Sequence, residues 1–243
     1  MNANAAVAIR SDDTDADLFA HLLHGYRFSL CQDAEAAARA LDIRRRVYVE
    51  GNGYDIPVPD EYDAWSWFLL AEDLVTGEAV GSMRATPRWA GPFEAEEYFE
   101  LPRELRSPLT VEVNRFAILP AYRKGKTFLP VVSVGLFKLL WKFLLERAGG
   151  HTVVICSKAE RIWTYEWLRF TRTGLTAPYG KLGAAEHALL TLDVRRAHDL
   201  YAGHPFLGFF DLEHPEVVLP RTVPPVGLGV CPTLQPSLFK RSA

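Results

Sequence analysis

The chain has 243 residues, 49% of them hydrophobic, and a formal net charge of −3. That is enough for one large domain with a sizeable core, and the near-balanced charge argues against a broad basic footprint for nucleic acid. The three cysteines, Cys31, Cys156 and Cys231, form an odd and sparse set, as reduced thiols in a cytosolic protein do.

The opening residues, MNANAAVAIRSDDTDAD, lack a basic start and turn acidic after a short apolar run, unlike a secretory signal. The longest largely apolar run, 127–137, ends at Lys138 and is too short to cross a bilayer. The expectation is a cytoplasmic protein with no transmembrane segment and no nucleic-acid partner.

In chain order, residues 1–25 read as an N-terminal arm, partly disordered, with a short helix over 15–24. YRFSLC, 26–31, reads as a first strand, and Asp33 as the N-cap of a helix running to about Val49. WFLLAED and EAVGSMRATP form a hairpin about Thr76–Gly77. TVEVNRFAIL is a further strand. The strongest helix spans 128–147, with Pro130 in its first turn and Gly149–Gly150 at its end. HTVVICS is apolar on both faces, hence a central strand. A helix over 160–170 stops at Gly174, and HALLTLDV is a late strand. Residues 205–243 hold seven of the 16 prolines and read as an extended tail packing on the domain. The fold class is α/β (α+β): a mixed, largely antiparallel twisted sheet of about six to seven strands with helices on both faces.

Charges interrupt the apolar pattern. At 100° per residue, Arg44 falls in the middle of the helix face formed by Ala37, Ala40, Leu41, Val47 and Tyr48. Arg84 sits mid-strand in VGSMRAT. A guanidinium on the core side needs a carboxylate unless it snorkels out along its stem or lies on an exposed edge. Asp60 and Asp63 in PDEYDAWS and Glu112 in VEVNR are candidate partners, and Arg115 is a third arginine to be paired. In a regular strand Glu112 and Arg115 point to opposite faces. A β-bulge between Glu112 and Phe116 shifts the parity by one, bringing both to one cleft and freeing backbone N–H groups.

The ordered pieces R-x3-Y at Arg44 and Tyr48, Gly53–Tyr54, DEYDAWS at 60–66, TGEAVGSMR ending at Arg84, and EVNRF at 112–116 resemble the acyl-homoserine lactone synthases and N-acyl amino acid synthases. Both groups are GNAT-like N-acyltransferases. The resemblance covers about 26–200 and implies a GNAT-like acyltransferase domain over 26–204. It maps the family's charged set onto Arg44, Asp60, Asp63, Arg84, Glu112 and Arg115. Tyr48 stands where phenylalanine is usual and Tyr54 where the family has tryptophan. The D-x-x-D-x-x-S spacing and Tyr54 are closer to N-acyl amino acid synthases than to lactone makers.

The implied reaction is attack of an amine on an acyl thioester. Glu112 is the candidate base, direct or through one water. Backbone N–H groups at Phe116, Ala117 and Ile118 are candidate oxyanion donors. Arg44, Tyr48, Tyr54, Asp60, Asp63, Arg84 and Arg115 would shape the acceptor pocket; the alternative for the charged set is a purely structural role. Trp141, Trp163 and Trp167 are candidate walls of an acyl slot or plain core. In RKGKTF the family's cofactor loop keeps one glycine, Gly125, which weakens the case for a pyrophosphate grip and for coenzyme A. Arg123, Lys124 and Lys126 would then steer an acidic acyl-carrier protein, or form an ordinary solvated basic turn. The expected donor is acyl-carrier protein thioester or acyl-coenzyme A, with no tightly bound cofactor. The acceptor is a small amine, an amino acid or S-adenosylmethionine. Competing classes are a coenzyme A-dependent N-acetyltransferase and a non-catalytic acyl- or carrier-binding module.

His21 and His24 alone make no metal site. Cys156 reads as a core thiol rather than a nucleophile, and VVSVG around Ser133 lacks the first glycine of a hydrolase elbow.

Overall fold

A computed structural model describes residues 21, 23–123, 129–204 and 213–230. Strand β1, Tyr26–Leu30, leads into helix α1, Ala34–Arg44, whose N-cap Asp33 accepts a hydrogen bond from Ala36 N–H at 2.8 Å. Where the sequence predicts helix to Val49, α1 passes into a π-helical turn over Arg45–Gly51. The hairpin β2, Trp67–Asp73, and β3, Ala79–Pro87, turns where the Asp73 carboxylate accepts from Val75 and Thr76 N–H. Gly77 there takes a φ of 70°, which costs glycine nothing.

Strand β4, Thr110–Ile118, precedes helix α2, Val131–Phe143, which closes through a wide turn at Leu144–Ala148 onto Gly149 at φ 65°. Strand β5, Thr152–Lys158, helix α3, Ile162–Trp167, and strands β6, Thr171–Tyr179, and β7, Ala185–Asp193, complete the domain. Sequence reading missed β6, whose residues alternate between exposed and half-buried on the sheet edge. Their polarity gave no apolar run, and Gly174 read as a helix stop. Helix α3 is shorter than the predicted 160–170 because Ala159–Arg161 form a 3₁₀ turn and β6 begins at Thr171.

The sheet has eight strands in the order β6-β7-β5-β4-β3-β2-β1-β8, against the six to seven expected. The additional strand β8 is only Val217–Val218, from the tail, parallel to β1. All other neighbours are antiparallel except β4 and β5. The described tail stays on the domain: Trp67 Nε1 donates to Pro224 O at 2.9 Å and Gly227 N–H to Ser66 O at 2.8 Å. The arm before residue 21 lies outside the described residues.

Helices α1 and α2 cover opposite faces, and strand alternation sorts the cores. Trp67, Leu69 and Ala71 pack on the α2 side, Phe68 and Leu70 on the α1 side. Helix and sheet approach closely at Gly135, where a Cβ would lie 2.1 Å from the Phe28 ring. No helix among the described residues is long and apolar enough to cross a membrane.

Candidate active site

The site begins with a miscount between strands. Ser82 pairs with Ala117 but Arg84 with Asn114, so two steps along β3 match three along β4. The extra residue makes a β-bulge, and Arg115 in it takes a φ of 51°, sparsely populated for a side chain with a Cβ. The parity changes as a result. Val111 and Val113 pack into the α2-side core, yet Ala117 and Leu119 pack into the α1-side core. Glu112 and Arg115 therefore share the α1 face, although they lie three residues apart.

Beneath that face lies a buried ion network. Arg44 grips Asp63 with both Nη atoms, Nη1 to Oδ1 at 2.8 Å. Arg84 Nη1 donates to Asp60 and, at 3.1 Å, to Asp63, and its Nη2 donates to Glu94 at 2.6 Å. Arg115 donates to the other Glu94 oxygen and lies 3.3 Å from Asp60 through Nε. Asn114 joins the network, accepting from Arg84 Nε at 2.8 Å and donating to Glu94 at 3.0 Å. A turn fixes the two aspartates: Asp60 caps the 3₁₀ helix Glu61–Trp65 while its own N–H donates to Asp63 at 2.7 Å. Arg44, Arg84 and Arg115 are thus matched by Asp60, Asp63 and Glu94, all of them buried. Such burial is tolerated because each guanidinium has a carboxylate partner.

Glu112 forms no ion pair with the three arginines among the described residues. Its two oxygens accept the backbone N–H groups of Glu94 and Ala95 at 2.8 and 2.9 Å. It is fully buried and is not among the residues lining the cleft. Burial above all, with the Glu94 charge, pushes its pKa up to about 7 against the pull of Arg84 and the two amides. Burial raises the Asp63 carboxyl as well, but the Arg44 hydrogen bond and the Arg84 and Arg44 charges outweigh it and hold that group below the ordinary range.

The cleft opens where β4 and β5 part. They pair only from Thr110–Glu112 to Thr152–Val154. Beyond that β5 follows β7 as far as Lys158 opposite His187, while β4 stays with β3. The gap encloses about 630 Å³, walled by Tyr48, Tyr54, Glu94, Phe116, Lys158 and Tyr165 among others. Leu119 N–H donates to Val80 O at 2.9 Å, which sets the ladder phase. By antiparallel alternation Ala117 N–H then faces β3, whereas Phe116 and Ile118 direct theirs to the opposite side. Tyr48 Oη donates to Phe116 O at 3.1 Å and Arg123 Nε to Ile118 O at 2.7 Å on that same side.

Of the aromatic candidates, Trp163 lines the cleft and is 47% exposed. Trp141 lies apart from it. It borders a separate apolar gap of about 20 Å³ and packs edge-on against Tyr201 at 5.0 Å. Lys124 and Lys126 fall outside the described residues. Cys156 lines the cleft, but burial first and the Glu112 and Glu94 charges next push its thiol well up, so it is no ready thiolate. Sequence reasoning missed Glu94, Asn114 and Lys158. Glu94 lies in FEAEE, which reads as a solvated acidic turn, and its only signal was one arginine too many for the aspartates. Among the described residues no group of His, Cys, Asp and Glu is placed to hold a metal ion.

Residues 43–133 of the chain match the family model described as an acetyltransferase (GNAT) domain. Its fold is that of known acyl synthases. FeeM, an N-acyl amino acid synthase from uncultured soil microbes, superposes with a TM-score of 0.61 at 18% identity, covering 73% of this chain and 96% of its own. The CoA-dependent acyl-homoserine lactone synthase BjaI, solved with SAM and isopentyl-CoA, gives 0.61 at 18% identity over 84% of this chain and 97% of its own. The lactone synthase LasI gives 0.56 at 19% over 73% and 94%. No match was found among curated proteins.

Proposed function

We propose that the protein is an N-acyltransferase moving a fatty acyl group from a thioester to a small amine. The observation that carries this reading is the split between β4 and β5 at the bulge. It gives a cleft of about 630 Å³ whose β4 wall directs the Phe116 and Ile118 N–H groups away from β3. The thioester carbonyl lies against those amides, which stabilise the oxygen as it gains charge. The acyl chain runs along the apolar wall of Val113, Phe137 and Ile155. The amine enters beside Tyr48 and Glu94, and Glu94 is the carboxylate on the cleft wall next to the bulge. Glu112 acts as a positioning residue, anchoring the backbone that carries Glu94. Arg44, Arg84, Arg115, Asp60 and Asp63 hold the wall rigid.

The donor is acyl-carrier protein or coenzyme A thioester, with Arg123 at the cleft as the described basic contact. The acceptor is an amino acid or S-adenosylmethionine. Mass spectrometry of lipid extracts from an overexpressing cell tests the reading. An N-acyl amino acid or an N-acyl lactone must accumulate, and a lactone requires a methionine-derived head group. Unchanged extracts with soluble, folded protein would refute it.

A further inference from the structure

Each arginine of the buried network has its carboxylate. Lys158 stands in contrast. It ends β5 inside the cleft, half-buried, and its Nζ donates to Tyr54 Oη at 2.9 Å. Among the described residues it forms no ion pair with a carboxylate. A contact chain relates it to the bulge: Tyr48 Oη bonds Phe116 O at 3.1 Å, the Tyr48 and Tyr54 rings lie 6.0 Å apart, and Tyr54 meets Lys158. One wall therefore presents a carboxylate, Glu94, at the bulge and an ammonium, Lys158, two tyrosine rings away.

We infer that Lys158, with Tyr54 Oη, binds the carboxylate of the acceptor, so that the acceptor is an amino acid in the broad sense, an amine carrying its own carboxylate. This rests on the acyltransferase reading. A partly desolvated ammonium attracts a carboxylate more strongly than it would in water, and the Tyr54 hydroxyl, which accepts from Lys158, still has its own proton to donate. Burial above all lowers the pKa of His187, opposite Lys158 on β7, and its Nδ1 contacts Ala185 O at 2.7 Å. Plain amino acids and S-adenosylmethionine share the acceptor carboxylate.

Isothermal titration of the full chain with N-octanoylglycine and with N-octanoylglycinamide tests the inference. The two differ only in the charged group. Wild type should bind the carboxylate about tenfold tighter, and Lys158→Gln should bring the two to parity mainly by weakening the acid. Tyr54→Phe should shrink the ratio less. A wild-type ratio near one, or a ratio that survives Lys158→Gln, overturns the carboxylate site while leaving acyl transfer standing. A Lys158→Gln loss equal for acid and amide would make Lys158 a mere latch for Tyr54 and also overturn it. Failure of both ligands to bind overturns this inference and the acyltransferase reading together. Displacement of bound N-octanoylglycine by free amino acids or by S-adenosylmethionine supports it and assigns the source.

Discussion

The two sides of the β4 bulge are built on opposite principles. On the α1 side Arg44, Arg84 and Arg115 meet Asp60, Asp63 and Glu94 in a closed, buried network with the charges balanced. On the β5 side the strands part, and Lys158, Tyr54 and the backbone of Phe116 and Ile118 border open volume. The charges that dominate the sequence motifs build the wall. Of the groups that border the open volume, Tyr54 and Phe116 come from those motifs, whereas Lys158 and Ile118 lie outside them.

Breaking the closed side should cost the fold most. Asp63→Ala leaves Arg44 without its bidentate partner and should destabilise by ~3–5 kcal/mol, read as the denaturant midpoint. Next comes Glu112. A carboxyl whose pKa rises on folding favours the fold fully at low pH and loses that contribution as pH climbs. Here the window runs from its ordinary 4.5 to about 7, on the order of 3 kcal/mol. Wild-type stability should fall across that window relative to Glu112→Gln, whose curve should lack this component. Urea titrations at pH 4, 5.5, 7 and 8 check the sign.

The open side should give the reverse pattern. Tyr48→Phe removes the hydroxyl held on Phe116 O, so kcat/KM should drop about tenfold while stability moves by about 1 kcal/mol or less. Paired rate and melting measurements separate the two effects. The smallest effect belongs to the surface. Arg195→Ala breaks only the exposed pair with Asp193, at 2.8 Å, and should change neither midpoint nor rate beyond error.

Much of the closed side was legible because a buried guanidinium demands a carboxylate. Helical phase placed Arg44, strand position placed Arg84, and the clash of Glu112 with Arg115 required the bulge that Arg115 adopts at φ 51°. What failed was assignment of partners. Glu112 was read as a partner of the arginines, yet backbone amides claim both its oxygens, and Glu94 takes the place beside Arg84 and Arg115. No local pattern distinguishes Glu94 from Glu96 or Glu97 in one short turn. Lys158 was invisible for the same reason, since a lysine ending a strand is ordinarily solvated. Only the divergence of β5 from β4, a long-range fact, puts it in a cleft.

The most direct measurement is a purified reaction of the protein with an acyl thioester and an amino acid, following thiol release and amide by mass spectrometry. Thiol and amide should appear in equal amounts, with Tyr48→Phe slowing both alike. Thiol released without amide, or a bound thioester that no amine ever discharges, would contradict the assignment of this cleft to acyl transfer.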